Sequence, residues 1–195
     1  VSADLRPQGK QGLLARHEDA WAAYYRRDAL TWEKQALLRG RVIIASTQTA
    51  ERLRDTMDQV RYPSGGLAAS DRRDIVRMKA RIEAERLPRG ADPARHVKLG
   101  RGGMTDVEWC AQLLTLEHGL HHPQLRTPET LDVLQTAVDA GVLPADHARD
   151  LREAWILGWR IRRGLFLWKG REAQVLPSDR VDLRAVSYTH LRAHA

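Results

Sequence analysis

The stretch HVKLGRGGMTDVEW, residues 96–109, places Gly100, Gly102 and Gly103 within four positions, directly ahead of an apolar run. A phosphate-gripping Walker loop needs glycine, four residues, then Gly-Lys-Ser/Thr, which is absent. A dinucleotide fingerprint needs a third glycine where Thr105 stands. Asp106 and Glu108 are two residues apart, on different sides of a helix, so they make a poor metal pair. The spacing predicts a helix start instead. Thr105 and Glu108 form a capping box in which each side chain accepts from the other's backbone N–H, and Asp106 complements the helix dipole. A cap alone calls for neither three glycines nor the preceding Lys98. Glycines let a backbone approach a ligand, and bare N–H groups at a helix start favour an anion. A phosphate or a partner carboxylate therefore stands as the functional alternative.

Outward from this stretch the chain reads as mostly helical. Residues 1–6, VSADLR, alternate and are stopped by Pro7 and Gly9, which suits one short strand followed by a polar turn. From His17 onward AWAAYYRR and LTWEKQALLRGRVII read as helices. Ala50, Leu53, Met57 and Val60 recur at helical spacing. Ser70 is placed to cap a helix with Ile75, Met78 and Ile82 inside. Residues 87–103 form the longest aperiodic stretch. A helix follows from Met104 to about His118, carrying Val107, Cys110, Leu113, Leu114 and Glu117. Thr127-Pro128 starts another that runs to Gly141. The last long helix, about Asp146 to Lys169, is expected to bury Leu151, Trp155, Trp159, Leu165 and Phe166 before Gly170. LPSDRVDLRA begins a further helix, whereas residues 186–195, VSYTHLRAHA, read as a non-native tail and are set aside.

Composition narrows the function classes. The 195-residue chain carries a net charge of +7, with 27 arginines against 5 lysines. These cations alternate with Asp and Glu in RLRD, SDRRD and RMKARIEAER, the pattern of a solvated, salt-bridged helix face, so a nucleic-acid partner is disfavoured. No run approaches the roughly 18 apolar residues of a membrane span, so no membrane partner is expected. Cys110 is the only cysteine, so no intrachain disulfide forms, which fits a cytoplasmic protein. The chain opens at Val1 within structured sequence and reads as a piece of a longer one.

Six blocks in order then carry a resemblance: DLRPQGKQGLL (4–14), YYRRDALTWEKQALLRGR (24–41), RYPSGGL (61–67), IVRMKARIEAERLPRGADPARHVKLGRGGMTDVEW (75–109), QLRTPETL (124–131) and GREAQVLPSD (170–179). Together they resemble the bifunctional glutamine synthetase adenylyltransferase/adenylyl-removing enzymes, and ERLPRGADP is most similar to the adenylylating half of actinobacterial members. The resemblance implies transfer of AMP from ATP to a tyrosine of glutamine synthetase, with Mg²⁺ bridging the phosphates. It implies glutamine synthetase and the PII signalling protein as partners. It also implies a fold: residues 1–45 would end a polymerase-β-like nucleotidyltransferase domain, its C-terminal edge of one strand plus helices, and residues 46–180 would form a helical-bundle domain. A docking and signal-relay role without catalysis, and the AMP-removing half, remain the alternatives.

The same resemblance implies site residues. The family's first two metal-binding acids belong upstream of Val1. A third is expected where Ser2 stands, and Asp4, two residues on and on the same face of a strand, is the nearest substitute. The piece alone is therefore expected to be inactive. Arg6 is placed to face the triphosphate. Trp32, Glu33 and Gln35 match the family's W-E-x-Q-A-L block. Trp32 is read as core, while Glu33, Gln35 and Arg39 are read as orienting the active-site strand. Lys98, Gly100, Gly102, Gly103, Asp106 and Glu108 match the family's helix entry, facing either the nucleotide or the partner.

Overall fold

The computed structural model describes residues 6–188. Among these residues the regular structure is helical, with one isolated antiparallel bridge, His96 to Val175, and no sheet. The strand expected over residues 1–6 falls outside the described residues, except for Arg6, which lies in a bend. The chain divides into two compact units. The first holds Val1–Met78 and Gln112–Glu129, the second Lys79–Ala111 and Thr130–Ala195.

The first unit contains α1 (Glu18–Arg27), α2 (Thr31–Ala36), α3 (Thr47–Arg61), the start of α4 (Ala69–Arg86) and the end of α5 (Met104–His118). Tyr24, Tyr25, Leu37 and Met57 form its core, with Trp21, Val42 and Val60 packed against them. The Tyr24 and Tyr25 rings meet edge-on at 5.5 Å, the arrangement their quadrupoles favour. Ser46 caps α3 by accepting from the Thr49 N–H. The helix expected through LTWEKQALLRGRVII is shorter. It ends at Ala36, continues as a single 3-10 turn over Leu37–Arg39, and leaves the helical path at Gly40. A Cβ at Gly40 would lie 2.8 Å from Met57 Cε, so α3 crosses too closely for a helical side chain there. The β-branched Val42, Ile43 and Ile44 then weaken any continuation, and Ile43 and Ile44 find no face to bury. Ser70 is not a cap: α4 starts at Ala69 and Ser70 lies inside it.

The second unit packs α6 (Thr130–Asp139) on α7 (Ala145–Lys169) and α7 on α8 (Arg180–Tyr188). Val133, Leu134, Ala137, Leu165 and Val186 are buried in it. α6 begins at Thr130 rather than at Thr127, whose hydroxyl instead accepts from the Glu129 N–H. Its end follows the expected Gly141 stop. Gly141 has φ of 69°, and the Val142 N–H returns to the Ala137 carbonyl, closing a Schellman turn. The expectation for α7 needs correction. Leu165 is fully buried, but Trp159 is 49% and Phe166 50% exposed. The inward stripe is made of small residues, Ala148, Gly158 and Gly164, around Leu165. A Cβ at Gly158 would stand 2.5 Å from Met104 Cγ, so the close approach of α5 turns the large aromatics outward. Val186 is buried in α8, so the fold includes the first residues of the segment set aside as a tail; residues 189–195 lie outside the described residues.

Candidate functional site

In the first unit a polar network is buried under α1 and α2. Glu33 is 4% exposed. Its carboxylate accepts the Tyr24 hydroxyl, with both oxygens 2.8 Å away, and the Leu30 N–H at 2.9 Å. The second bond satisfies an N–H that the start of α2 would otherwise strand. Tyr24 Oη in turn accepts from the Gln8 N–H at 3.2 Å. Burial and the Glu33 bond both hold the Tyr24 hydroxyl protonated above its ordinary pKa. Gln8 belongs to a tight turn. It is the only non-glycine with positive φ among the described residues, at 64°. Arg6 lashes this turn, its Nε donating to the Gly12 carbonyl at 2.8 Å and Nη2 to Lys10 at 2.9 Å. A Cβ at Gly12 would collide with the Pro7 carbonyl at 1.9 Å. The chain of contacts therefore runs from the turn after residues 1–5, through Tyr24, to Glu33.

In the second unit the three glycines serve the loop itself. A Cβ at Gly100 would lie 2.2 Å from the Pro93 carbonyl oxygen, and one at Gly103 2.7 Å from that of Gly100. Gly102 takes φ of 71°, the left-handed region that suits glycine. So folded, the loop supplies the acceptors that the start of α5 needs. The N–H groups of Met104 and Thr105 donate to the Val97 and Lys98 carbonyls, each at 3.0 Å, and that of Asp106 donates to Gly103. No bare donor cluster is left at this helix start for an anion. The expected capping box also differs. α5 starts at Met104, the Thr105 hydroxyl oxygen is buried without a hydrogen bond, and the reaching-back acid is Asp106, which accepts from the Gly102 N–H at 2.7 Å. The cap lies two residues earlier than that box, at Gly103, because the glycines wrap the chain tightly there.

Two further features hold this loop. Residues 95–97 and 174–176 clasp each other: the Val97 N–H donates to Gln174 and the Leu176 N–H to Arg95. The Arg95 guanidinium donates to the Leu176 and Pro177 carbonyls. Lys79 pairs with both Asp106 and Glu83. Burial opposes its charge, but the two carboxylates prevail and raise its pKa. His96 is buried at 4% exposure and accepts the Leu99 N–H on Nδ1 at 3.0 Å. Burial, followed by the Lys98 charge, pushes its pKa below the usual value. The unfolded chain therefore takes up the proton first as pH falls, and stability drops from about pH 6.5 toward the folded pKa. Urea midpoints at pH 7.5 and pH 5.0 test this. Wild type should lose more than His96→Asn, which keeps an acceptor but does not titrate. Equal losses would remove His96 as the cause.

The family model described as "GlnD PII-uridylyltransferase" matches residues 76–191, which take in most of the second unit and part of the first. The model described as "Glutamate-ammonia ligase adenylyltransferase" matches residues 1–56. A bifunctional glutamine synthetase adenylyltransferase/adenylyl-removing enzyme of Streptomyces avermitilis is 48% identical over 95% of this chain and 19% of its own length. Its namesake in Leifsonia xyli subsp. xyli is 48% identical over 94% of the chain and 18% of its length. That of Mycobacterium leprae is 44% identical over 96% and 19%. The chain belongs to this family. It spans about a fifth of the length of these relatives.

The family blocks can now be placed. Asp4 and Ser2 lie outside the described residues. Arg6, Glu33 and Gln35 fall in the first unit. Gln35 is buried and donates to Gln112 at 2.6 Å, Trp32 is half-buried and Arg39 is exposed. Lys98, Gly100, Gly102, Gly103, Asp106 and Glu108 fall in the second unit, where Lys98 is exposed and Glu108 half-buried. Sequence reasoning missed Tyr24, Gln112, Lys79 and Arg95. Lys79 and Glu83 at i and i+4 read as a surface pair; nothing in the local pattern reveals Asp106 as their third member.

Proposed function

We propose that this chain is the closing part of the adenylylating half of a glutamine synthetase adenylyltransferase, which transfers AMP from ATP to a tyrosine of glutamine synthetase in the cytoplasm. The observation that carries the reading is the order of the two family matches, adenylyltransferase first and the PII-uridylyltransferase-type region second, within one chain related along 95% of its length to bifunctional enzymes. In this reading Glu33 is a positioning residue. Through Tyr24 it fixes the Gln8 turn. Magnesium would supply charge stabilisation to the phosphates of ATP in such a reaction. Among the described residues no three His, Cys, Asp or Glu side chains are grouped to hold a metal, so no step is assigned to one here.

The test uses the full-length parent with ATP labelled at the α-phosphate and purified glutamine synthetase. Label should enter glutamine synthetase with ATP and without added inorganic phosphate. A requirement for phosphate, with the tyrosine-bound AMP leaving joined to that phosphate as ADP, would assign this region to the removing half. One observation favours a docking role toward glutamine synthetase or PII for the second unit: its glycine loop spends the first N–H groups of α5 on its own carbonyls rather than on a phosphate.

A further inference from the structure

The second unit carries an apolar groove of about 670 Å³ that lies away from the glycine loop. Trp155, Ile156, Trp159 and Phe166 of α7 line it, with Leu131 of α6 and Ala173 after α7. Residues 155 to 166 span about 16 Å of helix axis, or three turns. Monomeric surfaces seldom leave such large side chains together in water, yet Trp159 and Phe166 are about half exposed. Arg160, Arg162 and Arg163 edge the groove, against one acid, Glu172. Arg162 is engaged, 3.8 Å from Glu172 and 4.9 Å above the Trp159 ring. Arg160 and Arg163 have no ion-pair partner among the described residues. The groove thus offers an apolar floor three turns long and two uncompensated cations at its edge.

We infer that this groove takes an acidic amphipathic helix of a partner protein. The helix would lay an apolar stripe at i, i+4, i+7 and i+11 along Trp155, Trp159 and Phe166, and aim carboxylates at Arg160 and Arg163. Charge decides among the possible occupants. A second copy docked through the same face would set arginines against arginines. Single-stranded nucleic acid needs open aromatic faces for stacking, but Arg162 covers a face of Trp159 and Trp155 meets its ring edge-on at 6.1 Å. The inference does not depend on the catalytic reading above.

The test titrates the full 195-residue chain with a fluorescein-labelled peptide of about 14 residues, leucines at i, i+4, i+7 and i+11 and glutamates elsewhere. Anisotropy is also read for a lysine-for-glutamate version, a glutamate-rich scramble and a labelled oligo-dT. The acidic amphipathic peptide should bind tightest. Trp159→Ala and Phe166→Ser, both at exposed positions, should weaken it about tenfold. Arg160→Glu with Arg163→Glu should do the same and improve the lysine peptide. Equal binding of the acidic and basic peptides overturns the inference, as does tighter binding of oligo-dT. So does self-association in sedimentation velocity that Trp159→Ala abolishes, which would name a second copy as the occupant.

Discussion

Gly100→Ala is expected to lower the unfolding free energy of the chain by about 3 kcal/mol, the upper end of ordinary overpacking. The added methyl would meet backbone on two sides, the Pro93 oxygen at 2.2 Å and the His96 oxygen at 2.6 Å. A flexible side chain could swing aside; these carbonyls cannot. The His96 carbonyl accepts the Gly100 N–H at 2.7 Å, and the neighbouring Arg95–Val97 segment is clasped by Gln174 and Leu176. Displacing the loop also draws the Val97 and Lys98 carbonyls away from the first N–H groups of α5. Gly65→Ala serves as the control, because nothing lies within 4 Å of its Cβ position. It should change stability by less than about 0.5 kcal/mol. Urea unfolding followed by far-ultraviolet circular dichroism measures both. If Gly100→Ala costs no more than Gly65→Ala, loop closure is not what the glycine is for.

Glu33→Ala carries the second large effect. It strands the buried Tyr24 hydroxyl and removes the partner of the partly buried Leu30 N–H, and should cost about 2 to 3 kcal/mol. Glu33→Gln keeps one side-chain carbonyl acceptor and should cost about 1 kcal/mol. A double-mutant cycle with Tyr24→Phe isolates the contact, and a coupling of about 1 kcal/mol or more is expected for a bonded buried pair. In the full-length parent, assayed well below Tm, Glu33→Ala should lower kcat for adenylylation about tenfold with KM for ATP little changed, and Glu33→Gln should recover most of it. Unchanged kcat together with the stability loss would leave Glu33 a structural residue and remove its positioning role. Burial also pushes the neighbouring Tyr25 hydroxyl up to about 12, with the Glu33 charge adding to the effect, so neither tyrosine should ionise in any assay near neutral pH.

Much of the helical plan could be read locally. α7 runs to its expected stop because Gly170 adopts the left-handed conformation that ends a helix, and Gly141 closes α6 in the same way. Ala50 and Met57 face inward as their spacing requires. The errors have local causes too. The helix starts at Met104 as expected, but Thr105 and Glu108, which satisfy the capping rule on paper, do not cap it: the rule does not register how tightly three glycines turn the chain, and the cap falls two residues earlier. VII after Gly40 is apolar enough for a helix, yet only Val42 packs on the core while Ile43 and Ile44 stay exposed.

By itself the sequence determined the helical class, the order of the elements and the family, because periodicity, caps and the six blocks are properties of neighbouring residues. Only the tertiary structure decided which way the elements face. Gly158 admits Met104 to within a side chain's width, and that single close approach turns Trp159 and Phe166 to the surface. Likewise Glu33, Tyr24 and Gln8 become one network, and Lys79 becomes the partner of Asp106, only when segments distant in sequence are packed together. The strength of a buried hydrogen bond depends on what excludes water around it, and no local pattern carries that information.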